Sequence, residues 1–116
     1  MKNSFLRFKV LILIISFSFS NTLFSKEVNF KAVEILTYEE GNVIVGKNEV
    51  EAKIENEVEI FADKITYNKK EEKIIAEGNV RSIDLINDIE IKSKEAIFYK
   101  NKNQIVTIGE TFFKMN

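Results

Sequence analysis

The feature that most constrains the fold of this chain is a local pattern repeated around its three tyrosines. Each tyrosine follows an acidic residue by four positions and a Leu or Ile by two, in the segments 34–38, 63–67 and 95–99. Because side chains alternate between the two faces of a strand, residues two and four positions apart share one face. The pattern therefore predicts three strands that each place an acid, an aliphatic residue and a tyrosine on one face.

A polar turn and an apolar stretch that contains glycine follow each tyrosine. Gly46, Gly78 and Gly109 are separated by 32 and 31 residues, so the repeating unit is a strand, a short turn and a second strand, with a period of about 31 residues. Glycine inside a strand commonly marks a bulge or a sharp bend. One bend per repeat would fold each strand pair into a V and stack the Vs around a groove. The alternative is that the glycines only relieve strand twist.

The residue types after position 26 favour strands throughout. β-branched and aromatic residues dominate the apolar positions, and apolar and charged residues alternate at 58–60 and 89–91. Such alternation, interrupted by short polar loops, is typical of antiparallel strands. The sequence therefore predicts an all-β fold of about six or seven antiparallel strands.

Residues 1–25 have a different character from the rest of the chain. A basic start precedes the apolar run 10–15, and a serine-rich stretch follows it. This order is typical of a secretory signal peptide, here cleaved after Ser20 or Ser25. The alternative is a retained N-terminal membrane anchor, although a spanning helix needs about 20 apolar residues. In either case we expect residues 26–116 to form the exported domain.

The composition excludes several kinds of function. The chain contains no cysteine and no histidine, which removes disulfides, the commonest zinc ligands and the usual Ser-His or Cys-His nucleophile pairs. Residues 26–116 carry 14 basic and 18 acidic side chains, a net charge of −4, which does not favour binding to a nucleic acid. We therefore predict no catalytic residue, no metal, no cofactor and no nucleic-acid partner.

The central repeat resembles a known family. The segment FADKITY at residues 61–67, a charged turn and the segment IAEGNV at residues 75–80 are similar to the repeat of the OstA-like domain family. The full pattern covers residues 58–83. Weaker forms of it on both sides extend the resemblance to about residues 28–113, and divergent terminal repeats are common in stacked-repeat proteins. The family includes the periplasmic bridge protein of lipopolysaccharide transport and the N-terminal domain of the outer-membrane lipopolysaccharide-assembly barrel.

The resemblance implies a fold and a function. It implies an OstA-like β-jellyroll with a V-shaped groove that holds the acyl chains of lipid A. Such a domain would act in the periplasm without catalysis and deliver lipopolysaccharide to outer-membrane assembly. It also implies edge-strand pairing with other OstA-like jellyrolls, including head-to-tail self-association. The alternatives are a membrane-anchored component of the same machinery, or the N-terminal part of a longer outer-membrane assembly barrel. A third alternative is an enzyme on a β scaffold.

Two sets of candidate residues follow from these patterns. The predicted groove residues are aliphatic or tyrosine positions, each with an ordinary sealed core as the alternative role: Leu36, Tyr38, Ile60, Ile65, Tyr67, Ile74, Ala76, Val80, Ile91, Ile97, Tyr99 and Ile108. Side chains of Asp and Asn can bond nearby backbone amides and so stabilise bends. The predicted bend or turn residues are Gly46, Asp63, Gly78, Asn79 and Gly109.

Overall fold

The computed structural model of the protein describes residues 26–115, and its strands form one antiparallel sheet of eight strands. In chain order these are β1 Val28–Lys31, β2 Glu34–Tyr38, β3 Val43–Ile54, β4 Val58–Asn68, β5 Lys73–Asp84, β6 Ile89–Tyr99, β7 Gln104–Ile108 and β8 Phe112–Met115, with a 3-10 turn at Glu39–Gly41. The prediction of an all-β fold is confirmed. The proposed signal segment 1–25 lies outside the described residues, so its role stays a prediction.

The sheet is an up-and-down meander of antiparallel strand pairs. Each of the long strands β3 to β6 pairs with its neighbours in the chain. The short strands β1 and β2 both pair with β3, and β7 and β8 both pair with β6. Each short pair therefore takes the place of one long strand, and the sheet has two edges, β1/β2 and β7/β8. This order agrees with the predicted stack of antiparallel strand pairs.

Side chains at the strand ends stabilise the polar turns. The Oδ1 atom of Asn68 accepts a hydrogen bond from the N–H of Glu71 at 3.0 Å. Asp84 Oδ1 accepts bonds from the N–H groups of Ile86 and Asn87 at 3.0 and 2.9 Å. Such bonds satisfy backbone donors where strand pairing ends. The side-chain bond from Asn87, together with its backbone bond, lowers the pKa of Asp84 below its ordinary value of 3.8.

Register shifts bend the long strands near their middles. The pairing skips residues between Lys47 and Val50 in β3, between Phe61 and Lys64 in β4, and between Glu77 and Val80 in β5. Extra residues of this kind bend a strand and increase its twist. The bends divide the sheet into two parts. The lower arm comprises residues 34–47, 64–77 and 95–108, and the upper arm comprises residues 28–31, 50–62, 80–93 and 112–115.

The two arms pack against each other. One cluster of buried residues contains Ile54 and Ile60 of the upper arm together with Ile65 and Tyr67 of the lower arm. The rings of Phe30 in the upper arm and Tyr67 in the lower arm have centroids 6.4 Å apart. The hydrophobic face of one folded sheet therefore supplies both walls of the interior.

One predicted bend position is corrected by the pairing. Gly46 lies in regular pairing between Ile35 and Ile65, whereas the bend in β3 lies at Asn48 and Glu49, which have φ values of 68° and 54°. Gly46 instead faces the interior, where an added Cβ would lie 2.8 Å from Val50 Cγ1. Glycine fits here because the side chains of Val50 and Ala32 occupy the space that a Cβ would need. By contrast, Gly78 and Asn79 lie within the register shift of β5 and have φ values of 84° and 50°.

Candidate functional site

The strand register assigns each side chain to the interior or to the outer face. Directly paired residues of neighbouring strands share a face, and the face alternates along each strand. In the lower arm one interior row follows the pairing through Ile44, Tyr67, Ile74, Phe98 and Ile105. The interior rows are mostly apolar, with Ser82 and Thr107 among the exceptions, and the rows of the outer face include most of the charged residues of the strands.

Seven of the predicted groove residues lie on the interior face. Six of them are at most 8% exposed, and Ile91 is partly exposed. The buried six are Ile60, Ile65, Tyr67, Ile74, Ala76 and Val80. In the middle of the sheet these residues belong to one buried cluster that includes side chains from both arms. Whether they contact a lipid stays a prediction.

The other five predicted groove residues lie on the outer face, which corrects the sequence-based prediction. They are Leu36, Tyr38, Ile97, Tyr99 and Ile108. Tyr38 and Tyr99 are the last residues of their strands before a hairpin turn, whereas Tyr67 is one residue earlier and Asn68 is the last. A shift of one residue moves every side chain of a strand to the opposite face. The central tyrosine, Tyr67, therefore lies on the opposite face of the sheet from Tyr38 and Tyr99.

Much of the interior consists of residues that the sequence pattern did not predict. The residues that were not predicted are Val28, Phe30, Ala32, Ile44, Val50, Ala52, Ile54, Val58, Ala62, Ala96 and Ile105. The positions of the turns could have identified interior residues of the lower arm. Residues 39–42, 69–72 and 100–103 are three turns of equal length, and aligning the repeats on these turns places Thr37, Tyr67 and Phe98 in one row.

The interior opens towards the edge formed by β7 and β8. Along one row of the upper arm, Ala52, Ile60 and Ser82 are 0%, 2% and 3% exposed, Ile91 is partly exposed, and Phe113 is 60% exposed. Met115, in the neighbouring interior row of β8, is also exposed. Apart from Ser82, this row is therefore apolar from a sealed middle to an open end.

Polar groups at the bends have structural partners. Asn79 Nδ2 donates a hydrogen bond to Asp63 Oδ2 at 3.0 Å, which joins the bends of β4 and β5. On the outer face of the upper arm, Arg81 Nε donates to Glu90 Oε2 at 2.7 Å, and this hydrogen bond lowers the pKa of Glu90. The Arg81 guanidinium also lies 5.4 Å from the centre of the Phe61 ring. These contacts stabilise the bent sheet from outside.

Two features of the described part of the chain concern metals and membranes. Residues 26–115 contain no group of three or more His, Cys, Asp or Glu side chains placed to hold a metal ion. The same residues contain no helix of the length and hydropathy that a membrane span requires.

The comparisons with known proteins concern the architecture. No protein-family model matches the chain, and no curated protein sequence matches it. A similar solved structure is that of LptH, the LptA-homologous periplasmic component of the lipopolysaccharide transport device of Pseudomonas aeruginosa. The superposition has a TM-score of 0.43 and 5% sequence identity, and it covers 78% of this chain and 96% of LptH.

Proposed function

We propose that the domain is a non-enzymatic carrier that shields the acyl chains of lipopolysaccharide between its two arms in the periplasm and delivers the lipid towards outer-membrane assembly. The observation that carries this proposal is the mostly apolar interior that opens at Ile91, Phe113 and Met115. The resemblance of residues 58–83 to the OstA-like repeat supports lipopolysaccharide as the lipid.

The physical requirement for such a carrier is an apolar surface that can replace water around acyl chains. Each methylene exposed to water costs about 0.8 kcal/mol, so a lipid with several chains needs shielding along its path. The arms are joined through bends, and the interior of the upper arm is already exposed at β6 and β8. Separation of the arms from this end would admit acyl chains without breaking the strand pairing.

The two edges of the sheet suit head-to-tail pairing. In the meander β1/β2 runs antiparallel to β3, and β7/β8 runs antiparallel to β6. A second copy added at β7/β8 would therefore present its β1/β2 edge in the antiparallel direction. Continuing the register places Val106 opposite Leu36 of the next copy, and Phe113 opposite Phe30 of the next copy. Such a stack would cover exposed apolar side chains and extend the interior from copy to copy.

Photocrosslinking tests the lipid site. A photoreactive residue at Ile91, on the interior face of β6, should label lipopolysaccharide, because acyl chains would enter where this face is partly exposed. The matched control is Ile97, which lies on the same strand, is also partly exposed and faces outwards. We expect strong labelling at position 91 and weak labelling at position 97. Equal labelling at both positions would contradict binding between the arms.

Engineered cysteines test the stack and its register. The chain has no cysteine, so a variant with Leu36→Cys and Val106→Cys can form only the engineered disulfides. Opposed residues in antiparallel strands have Cβ atoms about 4.5–5.5 Å apart, close enough for reaction after a small adjustment. Mild oxidation should give a ladder of linked copies. Thr37→Cys with Val106→Cys, which places one thiol on the opposite face, should stay unlinked. Equal linking of both variants would refute the register.

A further inference from the structure

Lys100 is a lysine that lies inside the protein although it belongs to a hairpin turn. It is only 6% exposed. Its Nζ donates a hydrogen bond to the hydroxyl of Tyr67 at 2.8 Å and lies 5.2 Å from the centre of the Tyr67 ring. Its backbone N–H donates to the carbonyl oxygen of Glu72 at 2.9 Å, which holds the start of the turn against the neighbouring hairpin.

The charge of Lys100 has no acidic partner in the described part of the chain. Within residues 26–115 its ammonium group forms an ion pair with no carboxylate. An ammonium group has three N–H donors, and one of them is hydrogen-bonded to the Tyr67 hydroxyl. Burying an unpaired charge is unfavourable. Lys102, two residues later in the same turn, is exposed and lies over the outward-facing ring of Tyr99 at 5.5 Å. The turn can thus hold a lysine in solvent, yet Lys100 lies inside.

The position of the Lys100 ammonium group suits the headgroup of an amphipathic lipid. Tyr67 belongs to the apolar interior of the lower arm, and its ring is next to that of Phe30 in the upper arm. The ammonium group therefore lies next to a tyrosine of the lower arm whose ring is close to the upper arm, beside the apolar interior. Because the Tyr67 oxygen accepts the hydrogen bond from Lys100, its own hydroxyl hydrogen is left to donate.

We propose that Lys100 and Tyr67 bind a phosphate group of a lipid whose acyl chains lie between the arms. Two ammonium hydrogens and the tyrosine hydroxyl would converge on phosphate oxygens, which are strong acceptors of charge-assisted hydrogen bonds. The inference rests on the proposed carrier function and adds a headgroup site to it. The unpaired charge of the free protein is then balanced when the phosphorylated lipid binds.

Equilibrium binding to three probes tests this site in the full chain. The probes are lipid A with its phosphates, the same lipid A after enzymatic dephosphorylation, and inorganic phosphate. The unmodified chain should prefer phosphorylated over dephosphorylated lipid A by roughly tenfold or more, as expected for charge-assisted hydrogen bonds. Lys100→Met should bind both lipids with similar affinity, whereas the matched control Lys102→Met should keep the preference.

Two further readouts separate binding from a structural role. Lys100→Met should raise the melting temperature of the lipid-free protein, because it removes an unpaired buried charge and keeps an apolar stem. Lys100→Arg should keep part of the phosphate preference, which keeps the proposal testable if the methionine variant does not fold. A lowered melting temperature in a folded Lys100→Met chain that retains the preference would assign Lys100 a structural role and overturn the proposal.

The remaining outcomes distinguish the two proposals. If the unmodified chain binds both lipids equally, the phosphate site is refuted and the carrier function stands. If it binds neither lipid, the carrier function is refuted and the headgroup site with it. If inorganic phosphate binds as tightly as phosphorylated lipid A, the site takes free phosphate and the lipid assignment is wrong.

Discussion

Replacing Gly78 with alanine tests how the bends between the two arms are made. Gly78 has a φ of +84°, and an added Cβ would lie 2.5 Å from Asp63 Oδ2 and 3.0 Å from Asp63 Cβ. A left-handed backbone costs a residue with a side chain roughly 1–2 kcal/mol, and overpacking costs typically about 1–3 kcal/mol. Reduced freedom of alanine in the unfolded chain offsets about 0.4–1 kcal/mol of this. We expect Gly78→Ala to lower the free energy of unfolding by about 2–4 kcal/mol.

Two other glycines isolate the contribution of the backbone. Gly41 has a φ of +88° and nothing within 4 Å of an added Cβ. Gly109 has a φ of +92°, and the nearest atom, Lys94 Cβ, would be 3.7 Å away. Alanine at either position should cost only about 1 kcal/mol, because the left-handed backbone is the main penalty there. The additional loss in the free energy of unfolding of Gly78→Ala, compared with these two variants, measures the contact with Asp63.

A double-mutant cycle then assigns that additional loss to Asp63. Asp63→Ala alone should cost about 0.5–1 kcal/mol, since it removes an exposed hydrogen bond from Asn79. In the Gly78→Ala background the same change should recover part of the loss, because Oδ2 and Cγ are removed while the Cβ at 3.0 Å remains.

Urea unfolding followed by far-UV circular dichroism measures the unmodified chain and the five variants, with equal slopes required for the comparison. Equal losses at the three glycines, or no recovery on removing the Asp63 side chain, would refute the idea that close packing at the β4–β5 bend requires glycine.

Two further predictions concern acid stability and the N-terminus. The depressed pKa of Asp84, caused first by the side-chain hydrogen bond from Asn87, contributes stability that is present above its ordinary value of 3.8 and is lost as the pH falls through the lower folded-state pKa. Asp84→Asn should therefore reduce the fall in melting temperature between neutral pH and about pH 2, and an unchanged fall would contradict this assignment. Mass spectrometry of the chain purified from cells should find a mature N-terminus at Asn21 or Lys26. Intact Met1 in a membrane fraction would favour the anchored alternative instead.

The bend positions show how far glycine spacing can be used as a guide. Gly78 and Gly109 have left-handed backbones, but the matching position in β3 is Asn48, with Gly46 two residues earlier. Asn tolerates the left-handed conformation better than most residues with a side chain. A sequence search for glycine therefore finds the crowded interior position in β3 and misses the bend itself.

The amino-acid sequence by itself determined the all-β fold class, the strand-turn-strand unit and the antiparallel pairing of neighbours. These properties depend on local alternation of apolar and polar residues and on short polar turns. Both patterns can be recognised within a few residues of sequence. The complete repeat at residues 58–83 lies on β4 and β5, where alternation and turn are clearest. The same local information placed Ile65 and Tyr67 on the interior face.

Only the tertiary structure decided which face the outer two tyrosines occupy, because a one-residue change of hairpin register reverses the face. It also decided that the arms close in the middle and open at β8, since that depends on contacts between distant residues such as Phe30 and Tyr67. The contact of Lys100 with Tyr67 joins residues 33 positions apart. In the sequence Lys100 is one of several lysines in polar turns, and only folding brings its charge beside the apolar interior.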